Sequence, residues 1–408
     1  MKVLHINAVY PYGSTGRFVY ELKNTLQPYG VQTVIATTRT QEKEDVYVIG
    51  NSLDWKCHSL LSRIFGTQAY FSRISTKKLL KQIDIESPDI IHLHNLHANY
   101  INFPKLMKYI AQKDIPLVVT LHDCWFFTGK CCHYTVDCCD KWQTNCHHCI
   151  ALKKYNRSWF FDRTAKMHRD KKRLFANIPQ LYVIGVSQWL ANEAKKAPVF
   201  ATANKIDYIY NWVDTEIFAA KDATNIRKKL HLEGKKIILS VASIWSSAKG
   251  LSKIFELEER LTEDEQIVLV GKVDEEVRKS FSGKGLWLPP TNSTAELALL
   301  YSMADVLFQP SLEETFGLVA AEAMSCGTPV VCFRSTANPE LVNEKTGIVL
   351  EELDIESAVQ GLRKVIQNGK PYYSQACRSF AIENFEKSKN TQQYYELYES
   401  IMRKEEEH

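Results

Sequence analysis

Residues 309–333 read QPSLEETFGLVAAEAMSCGTPVVCF: a loop with two adjacent carboxylates, a glycine, a run of small helix formers, then Gly327, Thr328 and Pro329 before an apolar run. The loop-like residues Ser311 to Gly317 and the helix formers Leu318 to Ser325 predict a helix that starts near Gly317, with its first N–H groups unpaired. Those groups and the helix dipole form an anion site. Gly327 suits the position after the last turn, and Pro329 prevents continuation. Glu314 precedes the helix while Glu322 lies about one and a half turns inside it, so the first carboxylate reaches past the helix mouth and the second faces sideways. Carboxylates beside a phosphate site call for a partner other than phosphate, and sugar hydroxyls fit, because a carboxylate accepts from two neighbouring hydroxyls. A surface glutamate beside an ordinary helix start is the plainer reading.

Working outward, the composition bounds the class. The chain has 408 residues, 45% apolar and 24% charged, enough for two domains with their own cores. Apolar runs stay shorter than the roughly 18 residues of a membrane span. The opening MKVLHINAVYPYG is interrupted by Asn7, Tyr10 and Pro11 and reads as a first strand, not a signal peptide. A net charge of +4 is too weak to imply nucleic acid. The expected location is cytoplasmic.

The carboxylate pair carries a resemblance. Glu314 and Glu322, with Phe316, Gly317, Ala323, Gly327, Pro329 and Val330, resemble the E-x7-E signature of retaining glycosyltransferases of family 4. The resemblance implies an α/β GT-B fold: two doubly wound Rossmann-like domains facing a cleft, with a C-terminal helix crossing back to the first. It implies that Glu314 and the amides of Phe316, Gly317 and Leu318 contact the donor sugar and diphosphate, and that Glu322 binds the ribose hydroxyls. Glu313 is offset by one and does not make the spacing.

In the first half, the strand Lys2 to Asn7, the turn-rich Pro11 to Gly16 and a helical pattern from Phe18 to Leu26 open a doubly wound unit, continued by the strand Val31 to Thr37. Gly16 is read either as part of a tight turn or as part of a loop closing on a ligand, and the resemblance favours the second. Secondary structure over Asp45 to Lys81 is not legible. Asp89 to His94 and Pro116 to Leu121 read as buried parallel strands, which places His122 and Asp123 at a carboxyl end, where ligands bind in such sheets. His122 matches the family's histidine beside the donor's reactive carbon. His94 and His97 rank behind it.

Seven of the eleven cysteines fall in CWFFTGKCCHYTVDCCDKWQTNCHHC, residues 124–149. Three readings stay open: one structural Zn²⁺, free thiols, or disulfides. The zinc reading takes Cys132, Cys139, Cys146 and Cys149, the last two at knuckle spacing, although Cys131 and Cys138 compete. The segment is similar to an insertion in a family branch that builds bacterial capsule, exopolysaccharide and O-antigen, where it lies over the acceptor side. Lys153 to Arg173 is basic and interleaved with Trp159, Phe160 and Phe161, which suits either a solvated helix face or an anionic membrane surface near a lipid-pyrophosphate-linked acceptor.

The second half begins at Ile206 and resembles the family's Asn-Gly-Val-Asp crossover, with Trp212 in place of glycine. After the strand Lys236 to Ala242, Lys249 beside Gly250 suits a diphosphate. The family's nearby arginine is missing. Gln266 to Gly271 (QIVLVG) reads as another strand, and Gly271 opens a loop where the family holds the base. The expected domains are 1–200, 206–383 and a returning helix 384–408. The implied activity is transfer of a sugar from a UDP-, GDP- or dTDP-sugar to a glycan acceptor, peripheral at the inner face of the cytoplasmic membrane. The chain carries no D-x-D metal motif, so no metal is expected for transfer. The rivals are a GT-B sugar-nucleotide 2-epimerase and a zinc-organised binding protein on an inactive scaffold.

Overall fold

The computed structural model describes residues 1–42, 44–279 and 285–406. The chain divides into two compact units, one formed by Met1–Ile209 with Thr391–His408 and the other by Tyr210–Asn390. Glu407 and His408, the end of the expected returning helix, lie outside the described residues.

The first unit is built on a seven-stranded sheet: β1 (Lys2–Ile6), β2 (Gln32–Thr37), β3 (Val46–Val48), β4 (Ile90–Leu93), β5 (Leu117–Leu121), β6 (Leu181–Gly185) and β7 (Lys205–Tyr208), in the order β3-β2-β1-β4-β5-β6-β7. Every pairing is parallel. Runs such as LVVTL and LYVIG are apolar at successive positions because both faces are buried. The strand at Lys205–Tyr208 pairs with β6, so the first unit extends past residue 200 and takes in a strand expected in the second half. The illegible stretch forms β3 and the helices Ser52–Phe65 and Arg73–Glu86. Helix Ser52–Phe65 buries His58 and Ser62 while exposing Leu53, Leu60 and Phe65, which is why its hydrophobic pattern misleads.

The second unit has a six-stranded parallel sheet of β8 (Lys236–Ile244), β9 (Glu265–Lys272), β10 (Leu286–Leu288), β11 (Val306–Gln309), β12 (Val330–Phe333) and β13 (Gly347–Leu350), ordered β10-β9-β8-β11-β12-β13. In each sheet the winding direction reverses once, at β1/β4 and at β8/β11. Adjacent strands there send their outgoing loops in opposite directions and leave a crevice at their carboxyl ends. Among the described residues no helix is long and apolar enough to cross a membrane.

Several core positions are histidine. Burial pushes His5 down to about 3 and His58 and His168 to about 4. These rings stay neutral in the folded protein, whereas the unfolded chain takes up protons below about pH 6.5. Their stabilising contribution is intact above about pH 6.5 and is lost as pH falls toward the folded values, at ~1.4 kcal/mol per ring per pH unit. Urea unfolding at about pH 5 should therefore show a lower midpoint than at about pH 7.5. Equal midpoints would contradict neutral burial of these rings.

Candidate functional site

The crevice at β8/β11 is lined by the residues that follow those two strands. After β8 the chain makes the 3-10 turn Ser247–Lys249 and reaches Gly250 at φ +73°. A Cβ on Gly250 would stand 2.1 Å from the carbonyl oxygen of Pro310, the residue after β11, so only glycine permits this approach of the two loops. The approach brings Lys249 to Glu314, whose Oε1 accepts from Nζ at 2.6 Å. The backbone N–H of Glu314 donates to Thr336 Oγ1 at 2.7 Å, which fixes the start of the carboxylate's arm.

Three residues on, Gly317 adopts φ +101° and leads into helix Leu318–Ser325. A Cβ there would meet Leu341 Cδ1 at 2.8 Å and Gln309 Nε2 at 3.1 Å. No side-chain hydrogen bond caps this helix, which starts after Gly317 as the sequence implied. The ring of Phe316 is buried against Tyr210 and Phe385. Glu322 is buried on the helix, and its Oε2 accepts from Tyr301 Oη at 2.8 Å. Gly271 lies in β9, one residue before its end, and the Trp245 indole donates to the neighbouring Val270 carbonyl at 3.1 Å.

In the first unit, register aligns His5 with His92 across β1/β4, and alternation brings His94, Thr120 and His122 to the same face. His5 Nδ1 lies 3.0 Å from His94 Nε2, and His94 Nδ1 lies 3.1 Å from His122 Nε2. Since each neutral ring has one N–H and one acceptor, the chain of three runs in a single direction and orients His122. Desolvation lowers His122 to about 4 against the opposing pull of Asp123, so the ring is neutral at pH 7. His92 bonds Tyr398 Oη at 2.6 Å and Thr120 Oγ1 at 2.7 Å, and Thr120 meets Tyr394 Oη at 3.0 Å. The last helix, Lys387–Glu406, thus covers the stripe with hydroxyls. Gly16 is buried in helix Gly13–Leu26, which begins earlier than expected, and a Cβ on it would stand 2.9 Å from the Val9 carbonyl oxygen.

Two family descriptions match this chain in succession: Glycosyltransferase Family 4 over residues 15–217 and Glycosyl transferases group 1 over residues 222–403. The chain is a family 4 glycosyltransferase of the GT-B fold. It is 25% identical over 309 residues to WcaC of Escherichia coli K12, named for glycosyl transfer in colanic acid biosynthesis, covering 73% of this chain and 71% of that one. It is 30% identical over 359 residues to the sulfoquinovosyl transferase of Arabidopsis thaliana, covering 84% and 62% respectively. Sucrose-phosphate synthase from Thermosynechococcus elongatus superposes with a TM-score of 0.73 at 15% identity, over 98% of this chain and 99% of that one. Anabaena HepE in complex with UDP and glucose gives 0.66 at 17% identity, over 98% and 100%.

In this family 4 transferase the four cysteines of the zinc reading are divided. Cys132 Sγ faces His97 Nε2 at 4.0 Å, and His97 Nε2 meets Asp123 Oδ2 at 2.9 Å; Cys131, not Cys132, hydrogen-bonds Cys149. His97 holds Asp123 down at about 2, helped by the Trp125 amide, although burial pushes the carboxyl the other way. Sequence reasoning missed His5, His92, Tyr394 and Tyr398. The period-two histidines of IIHLH were the available signal for the stripe.

The Tyr301–Glu322 bond yields a direct check. Tyr301→Phe removes one donor from a buried carboxylate and should cost about 1–3 kcal/mol of stability, read by urea denaturation. A cost indistinguishable from zero would mean that Glu322 does not depend on this hydroxyl.

Proposed function

We propose that this family 4 transferase moves a hexose, or an amino or acidic hexose, from a UDP-, GDP- or dTDP-sugar to a hydroxyl of a glycan acceptor, with retained anomeric configuration, in the assembly of a bacterial surface polysaccharide. The observation that carries the reading is the Lys249–Glu314 contact beside the uncapped helix mouth at Gly317. In this reading Lys249 is the cation for the diphosphate, Glu314 the carboxylate for sugar hydroxyls, and the helix start adds N–H groups for the phosphates. Glu322 would take the ribose hydroxyls, with Gly271 near the base and Gly16 near the diphosphate. The names of the E. coli relative and of the UDP-bound Anabaena structure support the class of pathway and donor.

In the proposed reaction the bond between the anomeric carbon and the diphosphate oxygen breaks while the acceptor oxygen bonds to that carbon on the same face. The acceptor's proton passes to the leaving phosphate. Lys249 and the amides of Phe316, Gly317 and Leu318 stabilise the negative charge that develops there. His122, neutral and oriented through His94, serves the transferred sugar as a hydrogen-bonding partner, not as a cation. Glu314 holds the sugar's hydroxyls in place for attack.

The acceptor is proposed to be lipid-pyrophosphate-linked and reached at an anionic membrane. Trp159, Phe160 and Phe161 are consecutive and exposed, Phe160 by 70%, with Lys153, Arg157 and Arg163 exposed around them. Aromatic rings at the lipid interface and cations toward anionic headgroups suit that surface.

Two measurements test these roles. Glu322→Ala should raise the donor's KM about tenfold with a smaller change in kcat, whereas His122→Ala should lower kcat by about 10²-fold with donor binding kept. Small, equal effects from both would remove the assignment. Flotation with liposomes containing anionic lipid should carry the wild-type protein up, and replacing Trp159, Phe160 and Phe161 by serine should leave it in solution. A wild-type protein that stays at the bottom with such liposomes rules out the membrane surface.

A further inference from the structure

Two loops leave the first sheet side by side, one after β4 and one after β5, because those strands are neighbours. The first carries His97 and the second Asp123. Their side chains meet, with His97 Nε2 2.9 Å from Asp123 Oδ2. Cys132, from the cysteine-rich segment, brings its Sγ to 4.0 Å from the same ring nitrogen. All three donor atoms lie within 4.8 Å of one another. A nucleophilic Cys–His–Asp triad would place the thiol and the carboxylate on opposite nitrogens of the ring. Here both converge on Nε2, the arrangement of ligands gathered around one metal ion.

Each of the three side chains is held by contacts of its own. The Trp125 N–H donates to Asp123 Oδ1 at 2.8 Å, which leaves Oδ2 toward His97. The His97 ring lies 5.8 Å from that of Trp125, a buried residue whose indole donates to Gln68 Oε1 at 2.7 Å. Cys132 is fixed through the backbone: its carbonyl accepts from the Cys124 N–H at 2.9 Å, and the preceding Cys131 carbonyl accepts from Thr128 Oγ1 at 2.7 Å. Lys171, buried on helix Thr164–Ala176 although it stands in the basic stretch, donates to the carbonyls of Trp125 and Thr128 and so anchors the same turn. The donors are therefore brought together by the fold, which is what a preorganised metal site requires.

We propose that His97, Asp123 and Cys132 bind one Zn²⁺ through Nε2, Oδ2 and Sγ, with a water completing the coordination. Imidazole, carboxylate and thiolate are all zinc ligands, and the thiolate disfavours magnesium and calcium. Tetrahedral zinc at its usual bond lengths separates nitrogen from oxygen by about 3.4 Å and nitrogen from sulfur by about 3.6 Å. The present 2.9 and 4.0 Å each depart from those spacings by about half an ångström, a matter of small side-chain rotations. One carboxylate and one thiolate cancel the charge of the ion, which suits a half-buried place. The His97 and Asp123 side chains remain 26% and 13% exposed, so water reaches the open position. The stripe of His5, His92 and His94 is a poorer host, being fully buried with its nitrogens engaged by one another, Tyr398 and Thr120. Residues 122–163 carry only the 3-10 turn Lys141–Gln143 as regular structure, so an ion here ties a segment that is long for a loop to the carboxyl end of the sheet. The ion is assigned no step in the transfer.

The test uses the whole protein, purified without chelator, equilibrated with Zn²⁺ and desalted. Elemental analysis should find about one zinc per chain. X-ray absorption at the zinc edge should show one sulfur neighbour at about 2.3 Å and nitrogen or oxygen neighbours at about 2.0–2.2 Å. Cys132→Ser and His97→Ala should each weaken zinc binding by more than about tenfold, whereas Cys139→Ser and Cys146→Ser keep it. Protein that emerges without zinc overturns the proposal and leaves the three side chains as a hydrogen-bonded cluster. Zinc surrounded by sulfur alone, or retained in Cys132→Ser, overturns it by moving the ion elsewhere in the cysteine segment. The elemental and absorption measurements need only wild-type protein, so variants that fail to fold leave the test intact.

Discussion

The contact between Gly250 and the Pro310 carbonyl is the constraint on which the second unit's site depends. Strands β8 and β11 are neighbours, and their outgoing loops must pass close to each other before Lys249 can reach Glu314. A residue with any side chain at position 250 would force those loops apart. The ion pair is thus a product of backbone packing. Its two members need no strong mutual attraction to meet.

The first unit solves a different problem. A parallel sheet buried on both faces usually carries aliphatic side chains, yet β1, β4 and β5 place His5, His92 and Thr120 in the interior. Buried polar atoms need partners, and they find them in one another and in Tyr394 and Tyr398. The resulting network leads to His122 at the rim. Orientation of that ring is thereby inherited from the core, and a substitution well inside the sheet can alter it.

Much of this was legible in the chain. The strand runs, the helix start at Gly317 and the eight-residue interval from Glu314 to Glu322 follow from local punctuation, which tertiary structure seldom overrides. What sequence did not yield was partnership. Nothing in the motif says that Lys249 pairs with Glu314, because that contact is set by neighbouring strands far apart in the chain. Lys171 was counted with its basic neighbours, although its spacing from Met167, His168, Leu174 and Phe175 follows a buried helical stripe. Composition averages over a helix, whereas burial selects one face of it.

Residues from Thr391 onward belong to the first unit, although they follow the entire second unit in the chain. During synthesis the strands β1 to β7 emerge first, but the hydroxyls of Tyr394 and Tyr398 that satisfy His92 and Thr120 arrive only after Asn390 has been made. Until then the polar stripe has water as its partner, and the nascent first unit cannot reach its final packing. Completion of one unit is therefore tied to translation through the other, which makes the two interdependent in their biogenesis.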